Sequence, residues 1–316
     1  MAAGTEASLN GIWAAIAMPF QADGSLNPEG IAANARYYRD ILGLDGVFCH
    51  GIMGEGWSLT LDERMAALEA LIDGGGGAGG LPVGVVVTHH AFRETLALAR
   101  HAGWAGAHHI VLMRPRGPYR DAELIACAEA AVEASGLPLV LFESAAPGMS
   151  FGPAVITALA EQGLLLGIKA TGGAKAVTTL RALVAGKCTV CDPHEDQWLR
   201  DLLSNPSLPL YADPEPYLYQ TANRKPVRAY QEALAACDAS GALHTWQALE
   251  PWRRVYQHWI IGPLDRGHSP AAALKHWMQR LGLAAGPVRA PLLPLSRGEA
   301  EALDADLMSL PSPPDH

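Results

Sequence analysis

Lys169 closes the apolar run Leu164-Leu165-Leu166-Gly167-Ile168. The chain holds five lysines, at 169, 175, 187, 225 and 275, so one spent at the end of such a run stands out. Withdrawal from water disfavours the charged form of an amine. A neutral amine is the nucleophile that a Schiff base requires. Position alone leaves this reading level with a structural lysine paired to a nearby carboxylate. A second signal is the turn Gly51-Ile52-Met53-Gly54-Glu55. Glycines let the backbone approach a ligand closely, and successive N–H groups can cradle a carboxylate. By itself the segment reads equally well as an ordinary loop. Groups able to move protons follow other apolar runs: Glu143 after Phe142, His89 and His90 after Thr88, Asp192 and His194 after Cys191, and Asp213 after Ala212.

The elements that must position these groups are short apolar runs alternating with helical patterns. Strands are predicted at Gly11–Ala17, Gly46–His50, Pro82–Thr88, His109–Met113, Pro138–Phe142, Leu165–Lys169, Lys187–Cys191 and Leu208–Ala212. They lack clean two-residue alternation, as strands covered on both faces should. Helices are predicted at Pro28–Leu42, Leu61–Ile72, Arg93–Trp104, Ala122–Ser135, Pro153–Gln162, Ala174–Ala185 and Asp196–Leu203. Asn27-Pro28 supplies an N-cap followed by a first-turn proline, and Thr60 with Glu63 supplies a capping box. Eight strands with a helix in each gap imply an α/β fold, the (β/α)8 TIM barrel, with a doubly wound sheet as the alternative. Residues 1–225 are assigned to the barrel. Residues 226–316 are assigned to a C-terminal helical extension packed on it, helical from about 226 to 307. In such barrels the active site lies at the C-terminal ends of the strands, where every group named above falls.

Composition narrows the function classes. The net charge is −9, from 32 acidic and 23 basic residues, and no basic stripe with interleaved aromatics occurs, so nucleic acid is not an expected partner. The N-terminal MAAGTEASLN lacks the features of a signal peptide, and no run reaches membrane-spanning length. Five scattered cysteines point to a reducing, cytoplasmic setting. Cys188 and Cys191 form a CxxC inside a predicted strand, where positions three apart face opposite ways. They read as strand residues. The run Gly74–Gly80 lacks the Lys-Ser/Thr of a phosphate loop and precedes a strand, so it reads as a connection. Leu310–His316 reads as a frayed tail.

These motifs together resemble the dihydrodipicolinate synthase / N-acetylneuraminate lyase superfamily of class I pyruvate-dependent aldolases, from about Gly11 to Ser296. The carriers are Met18-Pro19-Phe20, the stretch GIMGEGWSLTLDER from Gly51 to Arg64, Gly167-Ile168-Lys169 with Thr171-Gly172-Gly173, and Ala273-Leu274-Lys275 with Leu281-Gly282-Leu283 and Val288-Arg289-Ala290-Pro291-Leu292. The resemblance implies that Lys169 forms an imine with the keto carbon of pyruvate or a related 2-keto acid. It implies that the turn Gly51, Ile52, Met53, Gly54 binds the keto-acid carboxylate through backbone amides. It implies a homo-tetramer or homo-dimer, with no metal and no cofactor.

The departures from the family pattern are informative. The family's Tyr-Asn ending strand five is Phe142-Glu143 here, and phenylalanine transfers no proton. The threonine linked to that tyrosine is Ile52. The arginine that follows Tyr-Asn and holds a dicarboxylate has no counterpart, since no arginine lies between Arg120 and Arg181. The family Pro-Tyr-Tyr after strand four retains only Pro115. Dihydrodipicolinate synthase activity is therefore not expected. Glu143 is the first candidate to replace the tyrosine as acid/base, unless strand alternation turns it away from an inward Phe142. His89, His90 and His194 are the alternatives. Asp192, His194 and Glu195 form a weaker metal-ligand option. Trp57, Met53, Met149 and Phe151 read as an apolar distal pocket or as core packing, and Arg114, Arg116 and Arg120, which flank Tyr119 after strand four, as binders of an anionic substrate tail or as solvated residues. The expected function is a Schiff-base lyase, an aldolase of the hydratase-aldolase kind. The alternatives are a hydro-lyase of a sugar-derived keto acid, or a family member that only binds.

Overall fold

The computed structural model describes residues 8–311 apart from 78, 145 and 147. Eight parallel strands are present: β1 (Ile12–Ala15), β2 (Gly46–Cys49), β3 (Val83–Val86), β4 (His109–Met113), β5 (Leu139–Glu143), β6 (Leu165–Ala170), β7 (Thr189–Cys191) and β8 (Leu210–Ala212). Their hydrogen-bonded order is β7-β6-β5-β4-β3-β2-β1-β8. The sheet curls into a nearly closed (β/α)8 barrel, not the open sheet of the alternative. Most ladders are shorter than the predicted runs. The chain nevertheless stays bonded beyond them: Ile16 N–H donates to Phe48 O and Val87 N–H to Val111 O, both at 3.0 Å. Conversely, β5 and β6 each run one residue further than predicted, because Glu143 pairs with Ala170.

The outer ring is α1 (Pro28–Arg36), α2 (Leu61–Gly74), α3 (Phe92–Ala105), α4 (Asp121–Ser135), α5 (Pro153–Glu161), α6 (Gly173–Val184) and α7 (Glu195–Ser204). The predicted helix Pro28–Leu42 is α1 continued by a π-helical stretch, Tyr37–Leu42. Asn27 caps α1 by accepting from Gly30 N–H at 2.9 Å. Thr60 and Glu63 form the reciprocal box that opens α2. The Gly74–Gly80 stretch turns from α2 into β3, with Leu81 N–H returning to Gly75 O; residue 78 lies outside the described residues, as does most of the tail expected to fray.

Aromatic side chains pack together in the barrel interior. Trp13 packs against His109 and Tyr211, and Tyr211 stacks on Phe48 with ring centroids 4.4 Å apart. The Tyr211 hydroxyl lies 2.7 Å from His109 Nε2. Gly84 makes this possible: a Cβ there would stand 2.3 Å from His109 Nε2. Burial holds the His109 imidazole neutral, well below the usual histidine range.

After β8 the chain forms α8 (Glu215–Leu218), α9 (Pro226–Ala235), α10 (Ala239–Gln247), α11 (Glu250–Tyr256) continuing into a π-helical turn (Gln257–Ile261), α12 (Gly262–Asp265), α13 (Ala271–Arg280) and α14 (Arg297–Met308). Among the described residues no helix is long and apolar enough to cross a membrane.

Candidate active site

Strand alternation decides what the barrel mouth presents. On β6, Lys169 is paired in register with Phe142 of β5, and Phe142 with Met113 of β4. All three face one cavity of about 380 Å³ at the C-terminal ends of the strands. Lys169 stands on its floor, only 3 % exposed. Its Nζ lies 4.6 Å from the Phe48 ring centroid and 5.4 Å from that of Phe142. The aromatic column of the interior thus ends directly beneath the amine.

The Lys169 ammonium donates to Asp213 Oδ1 at 2.6 Å, making an ion pair across the mouth from β6 to the end of β8. His194 borders the same cavity and bonds to Asp192 through Nδ1 at 2.7 Å. That carboxylate lifts the imidazole to about 9, against the opposing effect of burial, so His194 is a cation at neutral pH. Just after Asp213 in the chain, Glu215 is buried, and among the described residues its Oε2 has no hydrogen-bond partner. Burial and then the charge of Asp213 raise its carboxyl.

Across the floor runs the turn from Gly51 to Gly54. Its ends, His50 and Glu55, both take left-handed backbone (φ 64° and 49°), which tightens the turn. Gly51, Ile52 and Met53 line the cavity, and among the described residues the N–H groups of Ile52 and Met53 have no acceptor. Ile261, Leu264 and Asp265, from the π-helical turn and α12, also line the cavity.

Glu143 is not part of this cavity. Being next to the inward Phe142, it points the other way. One oxygen accepts from the Ser150 hydroxyl and the other from Phe151 N–H, at 2.8 Å for the latter. The carboxylate anchors the loop between β5 and α5, which corrects the acid/base expectation placed on it. His89, His90, Trp57, Arg114, Arg116 and Met149 line a second cavity of about 490 Å³, which adjoins the first along Gly51, Ile52, Val86 and Met113. Trp57 is 55 % exposed there. Tyr119, 39 % exposed, lines neither cavity, Arg120 pairs with Glu123, and Phe151 is buried in the core. Glu195 pairs with Arg253 at 2.8 Å and accepts from Tyr230, so it does not converge with Asp192 and His194. Among the described residues no three metal-ligating side chains come together. Burial pushes the Cys188 and Cys191 thiols up to about 11 and about 12, which keeps them protonated. Sequence reasoning noted Asp213 as a strand end but did not join it to Lys169, gave Thr171 only as part of a motif and passed over Ser144; all three line the cavity.

The sequence profile described as "Dihydrodipicolinate synthetase family" matches residues 8–203. The chain belongs to this family. Within the dihydrodipicolinate synthetase family, it is 28 % identical over 311 residues to the 4-hydroxy-tetrahydrodipicolinate synthase of Methanothrix thermoacetophila, covering 95 % of this chain and 96 % of the relative. It is 29 % identical over 304 residues to that of Stenotrophomonas maltophilia, covering 94 % and 95 %. Among solved structures, the N-acetylneuraminate lyase of Proteus mirabilis superposes with a TM-score of 0.77 at 22 % identity, over 96 % of this chain and 99 % of the other. YagE, a prophage protein of the dihydrodipicolinic acid synthase family from E. coli K12 solved with pyruvate, superposes at 0.78 and 24 %, over 95 % and 98 %. Family membership makes the chain one of the class I, Schiff-base aldolases and lyases. The dihydrodipicolinate synthetase profile ends before β8, so Asp213, Glu215 and the lining residues Ile261, Leu264 and Asp265 lie outside the matched stretch.

Proposed function

We propose that this protein is a carbon–carbon lyase that cleaves, or in reverse forms, a pyruvate-containing 2-keto acid through an imine at Lys169. The observation that carries the reading is the placement of Lys169: a buried amine on an apolar floor, facing a turn with free N–H groups at Ile52 and Met53. The amine attacks the keto carbon and the turn holds the adjacent carboxylate. Pyruvate bound to the similar YagE supports the choice of keto acid. The carbonyl partner is an apolar or aryl aldehyde, since Val86, Val111, Met113, Phe142, Ile261 and Leu264 supply the walls. A sugar-derived substrate for dehydration would want more polar walls. Standard 4-hydroxy-tetrahydrodipicolinate synthase activity is disfavoured because Phe142 carries no hydroxyl and no arginine lines the cavity among the described residues.

The protein works as a cytoplasmic homo-oligomer in this reading. Its five free thiols suit a reducing compartment. A neighbouring copy would cover Trp57 and Tyr119, and light scattering of the purified protein tests that. The main test is reduction with borohydride in the presence of pyruvate, followed by peptide mass measurement. An adduct on the Lys169 peptide is expected, and its absence overturns the imine reading. Aryl and sugar-derived keto acids are then compared, scoring released pyruvate against released water.

A further inference from the structure

The Lys169 imine leaves one chemical need unmet. The amine must lose a proton before it attacks, the departing water must gain one, and bond cleavage needs a base for the substrate hydroxyl. Phe142 and Ile52, which stand where the family pattern has hydroxyls, supply none. The first candidate to replace them, Glu143, is committed to Ser150 and Phe151. Among the residues lining the cavity, the titratable groups besides Lys169 are His194, Asp213 and Asp265. Of these, Asp213 is hydrogen-bonded to the reacting nitrogen, at 2.6 Å. Its side chain is 21 % exposed, against 3 % for Lys169, so it reaches from the amine into the open cavity.

We propose that Asp213 is the catalytic proton carrier of the imine cycle, in the place of the family's strand-five tyrosine. This rests on the imine reading and extends it. The Lys169 ammonium passes a proton to the Asp213 carboxylate, and the freed amine forms the C–N bond. The proton left on nitrogen moves to the former carbonyl oxygen. Asp213, now the acid, protonates that hydroxyl; the C–O bond breaks, water leaves and the iminium remains opposite the carboxylate. Asp213 then takes the proton of the C4 hydroxyl as the C3–C4 bond breaks. The aldehyde departs, the electron pair enters the enamine, and Asp213 returns the proton to C3. Hydrolysis of the pyruvate iminium consumes one water and restores the ammonium–carboxylate pair.

The groups around Asp213 fit this duty. Lys169 of β6 and His194, on the β7–α7 connection, face it as cations; His194 in turn is held by Asp192. Glu215, Tyr217 and Tyr256 feel its charge from α8 and α11, and Asp265 of α12 shares the cavity. Burial, and then the charge of Asp213, raise the Glu215 carboxyl.

Pyruvate in D2O is the probe, because the iminium and enamine exchange the methyl protons of pyruvate without need of the full substrate. The wild type is expected to exchange them, seen by NMR, and to give a borohydride adduct on Lys169. Asp213→Asn should slow exchange by about 100-fold or more, with its fold checked by circular dichroism. Asp213→Glu should recover part of the rate with a displaced pH profile, which a merely structural residue would not produce. Wild-type protein without any adduct would sink the imine reading and this inference together. An intact adduct in the wild type, with Asp213→Asn exchanging at the wild-type rate, would overturn the Asp213 assignment alone.

Discussion

The ammonium of Lys275 on α13 lies 2.6 Å from the carboxylate of Glu55, in the turn after β2, and both side chains are buried. It is a charge contact more than an aligned hydrogen bond. Lys275 donates to Pro287 O at 2.9 Å, and both Glu55 oxygens lack a hydrogen-bond partner among the described residues. Phe20 completes the group: Lys275 and Arg289 lie 3.9 and 4.1 Å from its ring centroid. Three motifs far apart in the chain thus meet under the turn proposed to hold the substrate carboxylate. Lys275→Met leaves Glu55 as an uncompensated buried charge, and a loss of about 3–5 kcal/mol is expected in urea unfolding. A loss below about 1 kcal/mol would mean that the pair does not hold the turn.

His194 should titrate near pH 9 by NMR, and Asp192→Asn should bring the midpoint down, since that carboxylate is the main cause of the shift. The sign for stability follows. A histidine raised from 6.5 contributes its full share below about pH 6.5 and loses it as pH rises through about 9. The ring is partly exposed, so solvent screening reduces the contribution to about 1 kcal/mol. A flat difference between wild type and His194→Gln across this window would contradict the pairing.

Glu143→Ala removes two acceptors and leaves the Phe151 N–H buried without a partner, for an expected loss of about 1–3 kcal/mol. Glu143→Gln keeps one acceptor and should lose less. Burial raises the Glu143 carboxyl, so its ionised form is penalised in the fold. The wild type's advantage over Glu143→Gln is present in full below pH 4.5 and shrinks as pH rises above it. Thermal melts of the three proteins at several pH values decide the matter, and an advantage that grows with pH would refute this account of the carboxyl.

Gly84→Ala would press a methyl group against His109 Nε2, 2.3 Å away, and the Tyr211 hydroxyl, 2.9 Å away. Overpacking of this kind costs about 1–3 kcal/mol. Because Tyr211 stacks on Phe48, and Phe48 lies beneath Lys169, the variant should also trap pyruvate more slowly. Trapping at the wild-type rate in a destabilised variant would show that the column does not position the amine.

Much of this was legible along the chain because its signals are local. Asn27 before Pro28, and Thr60 three residues before Glu63, carry their capping geometry within one helical turn. Lys169 was legible because lysine is scarce and the run before it is apolar. Asp213 was not, since its partner is 44 residues away and only closure of the barrel brings strands six and eight to one mouth. Glu143 shows the other limit. Its residue type suits acid/base work, but strand parity decides which way it faces, and register with Lys169 assigns the inward place to Phe142. The histidines after strand three, and Trp57 of the expected distal pocket, line the neighbouring cavity and not the one that holds Lys169.

Ile261, Leu264 and Asp265, which share the cavity with the amine, come from the last third of the chain, while the amine and the turn proposed to hold the carboxylate come from the first two thirds. In the proposed reading the walls for the leaving fragment are therefore drawn from both stretches, the strand ends with Val86, Val111, Met113 and Phe142 and the late helices with Ile261 and Leu264. Exchange of the stretch from α11 to α12 with that of a relative leaves Asp213 in place, and in the proposed reading it would shift preference for the aldehyde while sparing capture of pyruvate.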